Sequence, residues 1–541
     1  MSFCLSLFDV TGIQSFIFSS RKAQENIGGS LLVRDALDVH LIKSIQDVCN
    51  ELGGEAVTGW RDAAVFRMGK SGAPLAEVIY IGGGKAMVAF RDEETAKKAA
   101  RRFSRELMKA ADGALGVAVA YLESSGDFEN DNEALHKKLN ENKFTLPNSA
   151  PVLGLGVTRE GATDGRPAVK RGKEGQWISA QAQIKRDAAK ADADSGSPFD
   201  DAFRRVLERG WKFPAEFDDL GRDVDRGESF IAVVHLDGNS MGGKIQNYVG
   251  KAGHDYDRAV ANMREISKKI SDTYKEVFAS VLNDLADVFE KNENKWFRRL
   301  FVQRRGSALP VRPLIFAGDD VTFVCDGRVA LDLAARFMEK LVKVEFDGTK
   351  PFFTACGGIA LVKPHFPFFR AYELAESLCS SAKKACKAKG AANGCWIDYQ
   401  IVYSGLPTEL SEFRASKYSV PGMSSSGGFP LLWRPYCVTG AAGDGDKKRL
   451  WSAALSHLRL LTLGSGEQKP WPRSKLKGLR EALCSGESET AQFLSEQESR
   501  GRTLPCPAFE DAGGARRSQW YDILELLDSY VQIPWEEASE R

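Results

Sequence analysis

One order of elements occurs twice in this chain, and that repetition restricts the available folds more than any composition figure. In the first copy, residues 2–9 read as a buried strand ended by Asp9, and a mostly helical pattern runs on through Leu31, Leu32, Ala36, Val39, Ile42, Ile45 and Val48. Gly28 and Gly29 are expected to interrupt that helix. Strands at 77–81 and 85–90 flank Gly82-Gly83-Gly84, a hairpin signal, and a helix over 92–111 and a strand over 115–122 complete the unit. From Phe230 the order returns: a strand ended by Asp237, a long amphipathic helix with Met263, Ile266, Ile270 and Tyr274 on one face, a hairpin through Gly318-Asp319-Asp320, a helix over 328–343 and a strand over 352–362. Strand, helix, strand, strand, helix, strand is the ferredoxin-like split βαβ order. The expected fold is therefore α+β, with two ferredoxin-like palm domains of the nucleotidyl cyclase and polymerase type.

The divisions follow from the repeat: a first palm over 1–125, a helical and irregular connector over 126–225, a second palm over 226–437, and a C-terminal helical bundle over 438–541. The second palm carries an extra helix at about 370–388 and a further strand from Cys395. Leu455, Leu458, Leu460, Leu479, Phe493, Trp520, Ile523, Leu524 and Leu527 are expected to fill the bundle, including a helix over 516–531. Its basic residues, among them Lys448, Arg473 and Lys477, suit either solvent or RNA phosphates.

Composition excludes several classes. Lys and Arg number 74 against 73 Asp and Glu, so no global basic field attracts nucleic acid and any such contact must be local. No apolar run is long enough to span a membrane, and the first residues lack the basic start of a signal peptide. The 10 cysteines form no C-x-x-C pair, which predicts a reduced, cytoplasmic protein without a recognisable zinc site. Among the 6 histidines no His-x-x-x-His pair occurs and His254-Asp255 is the one His-Asp pair, which gives little support to a histidine-based metal nuclease, and His235 reads as a satisfied core histidine.

The two copies differ where it matters. Gly84 and Lys85 stand in the first hairpin where Asp319 and Asp320 stand in the second, and Asp9 aligns with Asp237. The end of the first strand of a split βαβ sheet lies beside the hairpin, so Asp237, Asp319 and Asp320 should share one volume. Three hard carboxylates there suit Mg²⁺ or Mn²⁺ and an in-line displacement on a nucleoside triphosphate, with Asp319 and Asp320 catalytic. The plainer reading is that Gly and Asp are good turn residues. Gly238, Asn239, Ser240 and Gly242 form a small-residue loop suited to phosphate, and Gly318 belongs to the same rim. Lys383 and Lys384 are candidates to reach phosphates, while Gly12, Ser15, Gly82 and Gly83 form the matching rim of the first palm.

These motifs resemble the large polymerase-like subunit of type III CRISPR effector complexes, the Cas ten or Cmr two family, and more distantly the GGDEF diguanylate cyclases. The resemblance rests on Phe8-Asp9-Val10-Thr11-Gly12 through Phe18, Tyr80 to Gly84, Asp237 to Gly242, Gly318-Asp319-Asp320, Ala355 to Ala360, Ala375-Glu376, Ala382-Lys383-Lys384 and Arg434-Pro435-Tyr436. It implies a subunit that joins ATP into cyclic oligoadenylates within a complex of effector subunits, guide RNA and target RNA. Three departures stand out. Ala317 replaces the first Gly of the family's Gly-Gly-Asp-Asp motif, the chain opens on the first palm without a His-Asp nuclease domain, and no cysteine zinc site is found. The alternatives are a catalytically silent scaffold for RNA and protein, or a free-standing cyclase making cyclic dinucleotides.

Overall fold

The computed structural model describes residues 2–20, 22–63, 65–145, 156–173, 175–194, 201–214, 216–217, 220, 230–291, 293, 295–302, 308–388, 394–405, 409–423, 429–440, 444–465, 469–512 and 515–535. The first palm comprises β1 (Cys4–Thr11), α1 (Ile13–Phe18), α2 (Ala23–Asp35), a π-helical turn (Ala36–Leu41), α3 (Ile42–Glu51), β2 (Ala56–Val57), β3 (Ala76–Gly82), β4 (Lys85–Phe90), α4 (Glu93–Ala110) and β5 (Gly116–Glu123). After it come α5 (Phe128–Thr145), β6 (Ala168–Arg171), β7 (Trp177–Ser179), α6 (Ala180–Asp194) and α7 (Arg204–Glu208). Within the connector expected over 126–225, α5, α6 and α7 are the described α-helices, and residues 195–200 lie outside the described residues.

The second palm comprises β8 (Ile231–Gly238), α8 (Met241–Gly250), α9 (Tyr256–Glu290), α10 (Lys295–Val302), β9 (Val311–Ala317), β10 (Asp320–Asp326), α11 (Ala330–Leu341), β11 (Ala355–Val362), α12 (Phe368–Ala388), β12 (Cys395–Ile401), α13 (Leu410–Tyr418) and β13 (Tyr436–Thr439). The remainder holds α14 (Trp451–Leu463), α15 (Arg473–Ser485), α16 (Glu487–Glu498), β14 (Glu510–Ala512), β15 (Ala515–Arg517) and α17 (Trp520–Glu525).

The sheets have the order β2-β3-β4-β1-β5 and β13-β12-β11-β8-β10-β9. Without the added edge strands, both are the antiparallel ferredoxin-like sheet, with the first strand central and the hairpin on one side of it. Alternation along the central strand sends Ala232, Val234 and Leu236 to one core and Ile231 and Val233 to another.

The palms interlock by exchanging helices. Ile17, Phe18, Ile27 and Leu31 of α1 and α2 share a core with the second sheet and α12, and Ser30 Oγ donates to the Leu314 carbonyl of β9. Reciprocally, α9 packs on the first sheet, where Arg264 Nη2 bonds the fully buried Glu77 at 2.8 Å and the Val78 carbonyl at 3.0 Å.

Two expectations need correction. Gly28 and Gly29 do not interrupt α2, which runs unbroken from Ala23 to Asp35. Their missing side chains serve packing instead: a Cβ on Gly28 would lie 1.7 Å from the Lys185 carbonyl oxygen of α6, and one on Gly29 would lie 3.1 Å from the Ile17 Cα. In the C-terminal segment, no helix covers 516–531. Ala515–Arg517 pairs with Glu510–Ala512, and the helix is confined to Trp520–Glu525 with a 3₁₀ turn after it. Its expected basic side is partly spent on ion pairs, since Arg473 and Lys477 meet Asp528 and Lys448 meets Glu510.

Candidate active site

Register makes the two hairpins equivalent residue for residue. Gly82 pairs with Lys85 in the first and Ala317 with Asp320 in the second, while Asp9 lies opposite Lys85 as Asp237 lies opposite Asp320. Gly83 and Gly318 both turn at positive φ, 58° and 68°, and a Cβ on Gly318 would lie 3.6 Å from Gly83 N. The two tips therefore touch. The residues three beyond each aspartate, Gly12 and Ser240, are both left-handed and open α1 and α8.

Asp319 is the most perturbed of the three acids: burial first, then the negative charges of Asp237 and Asp320, push its carboxyl up to about 6. Gly238 makes room for it, because a Cβ there would lie 2.5 Å from Asp319 Oδ2 and 2.8 Å from the Tyr274 hydroxyl. Asp237 Oδ2 accepts from Lys383 Nζ at 2.5 Å, and the same ammonium donates to the Gly238 carbonyl at 3.2 Å. Burial disfavours the Lys383 charge, but the bond to Asp237 outweighs it and leaves the ammonium more basic than usual. Asp320 lies 3.2 Å from His235 Nδ1, which also meets Thr322 Oγ1 at 3.2 Å. Burial opposes protonation of His235, yet Asp320 and, further off, Asp237 leave its pKa raised.

A cleft of about 690 Å³ runs between the palms. Gly12, Ser15, Gly82, Gly83, Gly318, Asp319 and Asp320 all line it, so the structure brings both hairpins and the α1 rim to one volume. Ala317 lines it as well, its methyl packed against the core shared by α2 and α12.

The remaining candidates separate. Asp237, Lys383 and Lys384 are not in the lining of the cleft: Lys383 points at Asp237 behind the acidic hairpin, whereas Lys384, one residue further round α12, is exposed on another face. Asn239 is buried and committed to the fold, its Nδ2 donating to the Gly394 carbonyl at 2.9 Å and its backbone N to Thr354. Ser240 and Gly242 sit at the start of α8, and neither lines the cleft. Two residues, Gln14 and His235, have roles that the sequence does not assign to them. Gln14 Nε2 bridges the palms by donating to Glu376 Oε1 at 2.5 Å and Tyr372 Oη at 3.2 Å. His235, read as a core histidine, is buried but serves Asp320, and its place two residues before Asp237, on the same strand face, was the available signal.

The first palm has an analogous centre of different charge. Asp9 is buried between Lys85, at 3.9 Å, and Lys143 of α5. Lys143 and Lys383 lie equally far, fifteen residues, beyond the first residues of α5 and α12, so each palm delivers a lysine from the helix after its last strand of the repeat.

Clustered carboxylate oxygens are the donor chemistry that Mg²⁺ or Mn²⁺ takes, and at Asp319 the neighbouring acids add to burial in raising the carboxyl. Asp237 meanwhile has Lys383 as its counter-charge and Asp320 has His235 as a neighbour, and among the described residues no group of three or more His, Cys, Asp or Glu side chains is arranged around one metal position.

Two facing ferredoxin-like palms, one with an acidic hairpin, define a twin-palm protein of the nucleotidyl cyclase and polymerase class. Residues 230–392 match the family model described as Cas10/Cmr2, second palm domain, and the second palm belongs to that family. No curated protein matches the chain. Among solved structures, Csm1 from T. onnurineus is similar over 97% of this chain and 69% of its own, with 15% identity and a TM-score of 0.50. A Csm1–Csm4 cassette in complex with pppApA covers 98% and 69% at 14% identity and TM-score 0.48. A cassette in complex with cA4 covers 97% and 69% at 13% and 0.45.

Proposed function

We propose that the chain is a nucleotidyltransferase that converts ATP to cyclic oligoadenylates as the large subunit of a type III CRISPR complex. The observation that carries this reading is the asymmetry of one cleft, in which the acidic tip Gly318-Asp319-Asp320 meets the acid-free tip Gly82-Gly83-Gly84. Membership of the second palm in the Cas10/Cmr2 family supports it. One nucleotide would present its triphosphate at the second palm and another would present its 3′-hydroxyl from the first.

Asp319 and Asp320, with Asp237, would hold Mg²⁺ or Mn²⁺. Such an ion, when bound, screens phosphate charge and acidifies the attacking hydroxyl. Each chain residue then has a task. His235 and Thr322 fix the Asp320 carboxylate, and Gly238 lets Asp319 approach. Lys383 is placed to exchange Asp237 for a phosphate oxygen, offsetting charge as the pyrophosphate leaves. The N-terminus of α8, opening at Met241 directly behind Asp237 and Gly238, would offer backbone N–H groups to a phosphate that extends beyond the cleft lining. Gln14 fastens the rim of the first palm to α12, holding the two nucleotide sites at a fixed separation. Basic residues of the C-terminal segment that have no role in the cleft, such as Lys475, suit contact with guide or target RNA, and effector subunits are the expected partners.

A silent scaffold is the second reading, favoured by the Asp237–Lys383 and Asp320–His235 pairings, which give both carboxylates protein partners without an ion. Mass spectrometry of products from each NTP with Mg²⁺ or Mn²⁺, with and without co-purified RNA complex, separates the two. Cyclic adenylates lost in Asp319→Ala/Asp320→Ala are expected of the enzyme. No product under any condition overturns it.

A further inference from the structure

Helix α6 belongs to the connector and touches no acid of the cleft, yet it is built into the wall that carries Gly12 and Ser15. Its backbone lies on α2 at Gly28, where only glycine permits the approach. From that position Lys185, 1% exposed, sends its ammonium to the Phe16 carbonyl of α1, to Ser19 Oγ at 2.9 Å, and over the Phe16 ring at 4.5 Å from the centroid. The next residue, Arg186, bonds the fully buried Glu25 of α2 through Nη2 at 2.6 Å and Nε at 2.8 Å, and Thr163 Oγ1 meets the same carboxylate at 3.2 Å. On its other side this α1–α2 unit is fastened to the second palm, through Gln14 to α12 and through Ser30 to β9.

We infer that Lys185 is a positioning residue: by capping the carbonyl end of α1 it fixes the Gly12–Ser15 rim and the Gln14 bridge, and so makes the connector a determinant of nucleotide binding in the cleft. A cation at a helix C-terminus with a carbonyl to bind is favourable, and inside a dry contact its removal leaves that carbonyl without its donor. The helix has only six residues, so a shift at Phe16 moves Gly12 and Ser15 with it. The groups facing Lys185 are Glu25 from α2 and Asp164 and Arg166 from the segment before β6. Burial outweighs the two acids and lowers the ammonium to about 8.

The inference rests on the cleft being a nucleotide site, and its test keeps the two apart. Full-length wild type, Lys185→Met and Lys185→Arg are compared for affinity toward a fluorescent ATP analogue with Mg²⁺, for KM and kcat, and for hydrogen exchange at residues 13–18. Lys185→Met is expected to weaken nucleotide affinity and raise KM about tenfold with a smaller change in kcat, and to speed exchange in α1 while leaving β10 protected. Lys185→Arg is expected to restore affinity. In the wild type, affinity is expected to weaken as pH rises through about 8, a dependence that Lys185→Arg flattens; this arm stands even if the Met variant does not fold. Unchanged affinity and α1 exchange in a folded Lys185→Met, or the same pH profile in wild type and Lys185→Arg, overturns the inference. Failure of the wild type to bind any nucleotide overturns instead the reading of the cleft, and the exchange arm still decides whether Lys185 holds α1.

Discussion

Gly238 has no room for a methyl group. Its Cβ would collide with the Asp319 carboxylate and the buried Tyr274 hydroxyl, so Gly238→Ala displaces the acid on which the proposed chemistry turns. Turnover should fall about a hundredfold while the folded state persists, checked by product mass spectrometry beside a circular dichroism melt. A second residue gives a stability test remote from the cleft. Asp332, 4% exposed, is pushed up to about 6 by burial, although Tyr530 Oη at 2.6 Å and Ile533 N at 2.7 Å bond it. Its folded pKa exceeds the unfolded value, so the folded chain binds the extra proton. The contribution is complete below about pH 4 and lost as pH rises through about 6, on the order of 3 kcal/mol. Asp332→Asn should therefore raise Tm above pH 6 and flatten its pH dependence between 4 and 6.

At the scale of elements, α12 is seated on β11 by glycine. A Cβ on Gly358 would lie 1.9 Å from the Ala375 carbonyl oxygen, so Gly358→Ala must lift the helix that carries Tyr372, Glu376 and Lys383. Denaturant unfolding should show a loss of about 3 kcal/mol. Such contacts divide what the sequence makes legible from what it hides. The hairpins and their equivalence were readable, because turn glycines between alternating apolar runs fix the register, and Asp9, Asp237 and both tips fall where that register puts them. Gly28 and Gly29 were misread because an interior glycine weakens a helix taken alone, whereas here it admits a second backbone. Lys383 could not be told from Lys384 until the buried stripe Ala375, Leu378, Cys379, Ala382 set the phase of α12. The Gln14–Glu376 bridge joins positions more than three hundred residues apart, and neither local pattern announces the other.

Across the whole molecule, the exchange of α2 and α9 makes each palm a part of the other's core. Arg264 and Glu77, 5% and 0% exposed, form the ion pair of that joint, and Glu77 is further held by the backbone N–H groups of Arg67 and Met68. Arg264→Met would strand a buried carboxylate and should cost about 3–5 kcal/mol. Thermal denaturation should show the lower Tm, and nucleotide turnover should fall with it, since the cleft exists only while the palms stay engaged.

The lysines that α5 and α12 deliver have unequal consequences. In the first palm Lys85 and Lys143 flank Asp9, so its charge is answered from within the chain. In the second, Lys383 answers Asp237 and leaves Asp319 crowded by its neighbours. One half of the protein thereby carries its own counter-charges, and the other, on the proposed reading, is left to respond to the divalent ion concentration of its surroundings.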